Sequence, residues 1–147
     1  MTVLSLAHIG MEAQMFKTII AILAAWITLT ISAVAGPEGT YAVRGTNPGG
    51  QGEYSGSVSV YQTGQTYSVI WNVGGVKYTG TGLGAEDSKG YSTMGPASTS
   101  DSSIAISYIS DGSFGLAYYV EQEDGTWRGI WTYGGSNKIG TEVWTRR

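Results

Sequence analysis

Between Tyr41 and Val143, apolar side chains recur on every second residue in short runs broken by Gly-containing turns. Period two is the signature of half-buried β-strands. The expected inward sets are Tyr41 and Val43; Tyr54, Gly56, Val58 and Val60; Tyr67, Val69, Trp71 and Val73; and Val76, Tyr78 and Gly80. A second group follows: Ile104, Ile106 and Tyr108; Leu116, Tyr118 and Val120; Trp127, Trp131 and Tyr133; and Ile139, Thr141 and Val143. Asn47-Pro48-Gly49-Gly50, Thr63-Gly64, Gly74-Gly75, Asp111-Gly112 and Asp124-Gly125 punctuate the runs, as hairpin turns do. No helix is expected after residue 35.

The two groups align without a gap at an offset of sixty residues. Trp71 falls on Trp131, Gly74-Gly75 on Gly134-Gly135, and Gly80-Thr81 on Gly140-Thr141. Val60/Val120, Gln62/Gln122, Thr66/Thr126 and Ile70/Ile130 match as well. An internal repeat is therefore expected, over about 41–83 and 104–145, each copy holding four strands. An open eight-stranded meander leaves two edges unprotected, and closure removes them. The fold class expected is all-β, an eight-stranded antiparallel up-and-down barrel or strongly curled sheet. Inward Gly45, Gly56, Gly80 and Gly129 suit the bending of so small a sheet. Gly84–Ser102 has no period and is rich in Ser, Gly and Thr, which reads as a mobile linker between the copies.

Met15–Ala35, MFKTIIAILAAWITLTISAVA, carries Lys17, an apolar run over Ile19–Ile31 and a small-x-small end at Ala33-Val34-Ala35. These are the three parts of a signal peptide, helical across its apolar run. That run is short for a bilayer anchor, and no basic cluster follows it. The organisation expected is a signal peptide at 1–35, in which 1–14 is either an extended n-region or an upstream start extension with Met11 and Met15 as alternative starts, and one β-domain at 36–147. Cleavage after Ala35 implies a periplasmic or secreted protein.

Composition narrows the chemistry. Charged residues make up 13% of the chain and the net charge is −3, without the basic stripe that nucleic acid requires. There is no cysteine, and the one histidine, His8, lies in the signal segment. Residues 36–147 hence lack the parts for Ser-His-Asp or Cys-His catalysis and for the usual zinc sites. Glu121, Glu123 and Asp124 form a fragment of a calcium loop at most, and a tight Asp-Gly turn explains them better. No enzyme activity, cofactor or metal is expected. An outer-membrane barrel is rejected, since Ser55, Ser57, Ser59, Ser68 and Asn72 would face lipid.

Two sets of aromatic and aliphatic residues remain. Tyr67, Trp71, Trp127 and Trp131 suit either a barrel core or the wall of a ligand cup; few aliphatic residues are available to fill the interior, which favours core. Tyr61, Ile70, Tyr119, Ile130 and Trp144 alternate against the inward sets and are the candidate partner-binding residues on the outer face.

GTNPGG at Gly45–Gly50 with Tyr54-Ser55-Gly56, YSVIWNVGG at Tyr67–Gly75, GLAYYVEQEDGTWRGIW at Gly115–Trp131 and GTEVWT at Gly140–Thr145 resemble a family of small exported bacterial proteins described as fibronectin-binding. The resemblance spans nearly all of 39–145 and implies adhesion to a host extracellular-matrix protein such as fibronectin. It brings no binding-site residues, and the cysteines that relatives can carry in the central strands are absent here. Trp127-x-Gly129-x-Trp131-x-x-Gly134 also resembles a MORN-type hairpin locally. The function expected is a non-enzymatic exported binding protein, with a lipocalin-like small-molecule carrier as the alternative. The interior is expected to be filled, which favours protein binding over ligand carriage.

Overall fold

The computed structural model describes residues 36–147; the expected signal segment, 1–35, lies outside the described residues. Nine strands follow one another: β1 (Gly39–Thr46), β2 (Glu53–Thr63), β3 (Thr66–Val73), β4 (Val76–Ser88), β5 (Tyr91–Met94), β6 (Ser103–Ser110), β7 (Ser113–Glu121), β8 (Trp127–Tyr133) and β9 (Gly140–Arg146). There is no helix among the described residues. The sheet runs β3-β2-β1-β9-β8-β7-β6-β4, and a β3–β4 ladder closes it into an eight-stranded antiparallel barrel. Closure by β1 against β9 ties the two ends of the domain together. β5 stands outside the ring, paired only to the overhanging end of β4.

The turns follow the sequence chemistry. Gly74 and Gly75 both have positive φ, 59° and 80°, which a two-residue hairpin twisted to match its strands requires. At one end of the barrel lie the 47–52, 74–75, 111–112 and 134–139 connections. At the other lie both domain termini, the β2–β3 and β7–β8 turns and the β4–β6 connection.

That second end is shut. The 84–102 stretch, expected to be a mobile linker, instead continues β4, turns at Lys89-Gly90 into β5, and returns across the barrel mouth. Ala97 donates its N–H to Gln65 O (3.0 Å), and Gln62 donates to Ala97 O (2.9 Å). Buried Asp101 accepts from the Tyr67 hydroxyl (2.6 Å) and the Ser98 N–H (2.9 Å). Arg146 closes the other side of this end, donating to Tyr41 Oη (2.8 Å) and Glu38 O (2.9 Å). A run without periodicity is thus ordered by buried polar bonds that no pattern of apolar residues announces.

The core is aromatic: Tyr41, Tyr67, Tyr119, Trp127 and Trp144 are fully enclosed with Val58, Val60, Val69, Ile104 and Ile106. Each enclosed indole withdraws on the order of 200 Å² from water, worth about 5 kcal/mol. Tyr67, Trp71, Trp127 and Trp131 are all buried.

Two strands have the opposite phase to that expected. In β7 the inward residues are Gly115, Ala117 and Tyr119, while Leu116 and Tyr118 face out. In β9 they are Gly140, Glu142 and Trp144, while Thr141 and Val143 lie on the other face. Space explains β7: a Cβ on Gly115 would overlap the Tyr108 hydroxyl, and one on Gly129 would overlap the Tyr119 ring. Large rings from neighbouring strands occupy the interior there, so β7 turns its smallest residues inward. The turn supplies the shift in register. Gln62 pairs with Tyr67 across the β2–β3 turn, whereas Glu121 pairs with Trp127 across the β7–β8 turn, which is one residue longer. One residue reverses every side chain of a strand. At an offset of sixty, Val58 therefore points in and Tyr118 out, although Trp71 and Trp131 share the inner face.

Candidate functional site

The interior is not filled throughout. Toward the end bearing the Gly74-Gly75 turn, the barrel opens into a cup of about 240 Å³. Its walls are the rings of Tyr54, Trp71, Tyr78, Tyr108, Trp131 and Tyr133, with Val73 and Val76 near the rim. Tyr119 and Glu142 lie at its floor. The rings meet edge to face: Trp71 to Tyr108 at 6.0 Å, Tyr108 to Trp131 at 6.4 Å, Trp131 to Tyr133 at 5.0 Å and Tyr54 to Trp131 at 6.0 Å. Each ring braces the next, so the wall is set before any ligand arrives.

Glu142 is buried in a mostly aromatic surround. Its Oε2 accepts from Trp144 Nε1 (2.6 Å), Tyr119 Oη (2.6 Å) and Trp71 Nε1 (3.2 Å), and its Oε1 accepts from Tyr54 Oη (2.9 Å). Four donors on two oxygens is the pattern of a carboxylate, since indole nitrogens can only donate. None of the residues lining the cup is Lys, Arg or His. The charge is held by hydrogen bonds and not by a counter-ion, at a cost that only good geometry offsets.

The tyrosines register this environment. Tyr119 is pushed well above its ordinary value near 10, by burial first and then by the Glu142 carboxylate. Tyr54 is raised by the same two causes in the same order. Tyr108 is raised mainly by burial. All three stay neutral donors across the physiological range.

Of the expected core aromatics, Trp71 and Trp131 line the cup, while Tyr67 and Trp127 lie outside its lining. The indole N–H of Trp127 and of Trp131 is buried without a hydrogen-bond partner. Of the expected outer-face residues, Tyr61 and Ile130 are half exposed, at 50% and 48%, and Ile70 is partly buried. Tyr119 and Trp144 are corrections: both are buried, at 1% and 0% exposure, because β7 and β9 have the reversed phase. Both serve Glu142 instead of a partner. Tyr61 on β2 and Ile70 on β3 are diagonal neighbours on adjacent strands, while Ile130 lies apart on β8.

The structure does assemble a different outer row. Leu83, Ala105, Tyr118 and Ile130 are successive cross-strand partners on β4, β6, β7 and β8, with exposed Leu116 one row away. A shallow depression runs along it. Among the described residues, no group of acidic or histidine side chains is arranged to hold a metal ion.

Glu142 is the residue of the candidate site that the sequence pattern conceals, because an acidic residue in an alternating strand reads as solvent-facing. The signal that finds it is Gly140. Set against inward Gly80 at the sixty-residue offset, it places Gly140, Glu142 and Trp144 on the inner face together. Comparison with family models, with curated proteins and with solved structures found no match.

Proposed function

We propose that this chain is an exported, non-catalytic binding protein that takes a small ligand into the open end of its barrel. The observation that carries this reading is the cup itself: braced rings around a void, with a buried and fully hydrogen-bonded carboxylate at the base. Ligand sites are typically preformed, mostly apolar concavities with a few fixed polar groups. At about 240 Å³ the cup is below the usual 300–1,000 Å³ range, which fits a ligand smaller than drug size. Glu142 has no adjacent His, Cys or Lys in the cup lining with which to share a proton, and this supports binding over turnover.

Native mass spectrometry of the purified protein with benzyl alcohol, indole, cyclohexylamine and tetramethylammonium tests the reading. One-to-one adducts are expected, and Val76→Trp at the rim should abolish them. Absence of adducts with every probe, or adducts unchanged in Val76→Trp, contradicts it.

A second reading, adhesion to an extracellular-matrix protein such as fibronectin, is favoured by the outer row of exposed Leu83, Tyr118 and Ile130 with half-buried Ala105 between them. Binding to immobilised fibronectin, lost in Tyr118→Ser with Ile130→Ser, supports it. Equal binding to an unrelated matrix protein removes it. The signal-like Met15–Ala35 segment supports export, and a mature chain beginning at Gly36 is the expected product.

A further inference from the structure

We infer that the cup selects a small methylated ammonium ion, the positively charged group of choline-like molecules; this rests on the ligand-binding reading of the same cup. Three observations converge. The wall is made of Trp and Tyr rings, whose faces carry the negative end of the ring quadrupole and attract cations. The base carries the Glu142 carboxylate, without a Lys, Arg or His anywhere in the lining, so the field inside favours positive charge. The third is the character of the lining. The Glu142 carboxylate already takes four donors, and the rest of the wall is ring and Val surface relieved only by hydroxyl oxygens and Asn47. Those few neutral acceptors replace only in part the water lost by the N–H groups of a primary ammonium, whereas a fully methylated ammonium has no N–H to satisfy and matches the apolar wall. The cup therefore favours the methylated cation over the primary one. Asn47, in the β1–β2 loop at the rim, is the one side-chain amide in the lining; it gives one amide hydrogen to Gln51 O (2.9 Å) and keeps the other for a hydroxyl or ester oxygen on the ligand's outer end.

Tryptophan fluorescence of the purified protein, titrated with choline and with its uncharged carbon isostere 3,3-dimethylbutan-1-ol, tests the inference. Choline should bind saturably, about tenfold or more tighter than the isostere. Glu142→Gln should bring choline down to the level of the isostere. Tyr133→Leu, in the wall and away from the hydrogen-bonded base, keeps the apolar bulk and removes the ring; it should weaken choline several-fold and the isostere far less. This second variant keeps the test decisive if Glu142→Gln fails to fold. Equal binding of choline and the isostere, or binding of indole and benzyl alcohol without choline, overturns the cation preference while the cup remains a ligand site. Failure of every probe overturns both. Co-sedimentation with phosphatidylcholine vesicles, competed by free choline, would assign the ion to a lipid headgroup; binding of free choline without co-sedimentation would assign it to a soluble molecule.

Discussion

The hydroxyl of Tyr119 on β7 reaches past β8 to donate to Oε2 of Glu142 on β9, at 2.6 Å. Residues two strands apart are thereby joined at the base of the cup, and Tyr54 on β2 and Trp71 on β3 join from the other flank of β9, past β1. Removing the carboxylate orphans four donors at once. Glu142→Ala should cost on the order of 3–5 kcal/mol, and Tyr119→Phe about 1.5–3 kcal/mol, the usual range for a bond to a charged group. Urea denaturation measures both; a Glu142→Ala protein as stable as wild type would show that the network contributes nothing to the fold.

Trp71 and Trp131 separate packing from hydrogen bonding. Either residue changed to Ala should cost about 3–5 kcal/mol. Changed to Phe, Trp71 also loses its bond to Glu142, whereas the Trp131 indole has no partner to lose. Trp71→Phe should therefore be the more destabilising by about 1–2 kcal/mol. The reverse order in thermal or urea melts contradicts the assigned geometry.

Alkaline pH should unfold the barrel. Tyr41 is raised to about 12, by burial against the opposing pull of Arg146, and Tyr54, Tyr67, Tyr108 and Tyr119 are also raised. A raised folded-state pKa means that the unfolded chain loses its proton first. The stabilising contribution is then complete below about pH 10 and fades as pH rises toward and past 12. Absorbance at the tyrosinate band should show these residues ionising together with loss of structure. Smooth ionisation of all ten tyrosines near pH 10 in a folded protein would contradict the burial of these five.

The closed end should be as ordered as the strands it covers. Amides over 97–102 are expected to exchange slowly, and Asp101→Ala should speed that exchange while costing about 1–3 kcal/mol. Fast exchange of this segment in the unmodified protein would restore the linker reading of 84–102.

Much of the barrel is legible in the sequence because Val, Tyr and Trp alternate with Ser and Thr along β2 and β3, where the inward positions are apolar from Tyr54 to Val60 and from Tyr67 to Val73. The candidate site is less legible, for two physical reasons. Along β7 the larger apolar residues, Leu116 and Tyr118, point outward, because rings from neighbouring strands leave room only for Gly115 and Ala117. Along β9 a buried carboxylate occupies an inward position, and three of its four donors come from strands distant in sequence. Hydrophobic pattern reports burial and is silent about a buried charge that hydrogen bonds make tolerable.

The central claim, that the cup is where this protein binds, is tested most directly by the indole N–H resonances in a ¹⁵N-labelled sample titrated with tetramethylammonium and with benzyl alcohol. Trp71 and Trp131 line the cup and Trp127 does not, so the first two should shift saturably with the probe that binds while Trp127 stays in place. Shifts confined to the backbone amides of Tyr118 and Ile130, with Trp71 and Trp131 unmoved, would place binding on the outer face and contradict the cup.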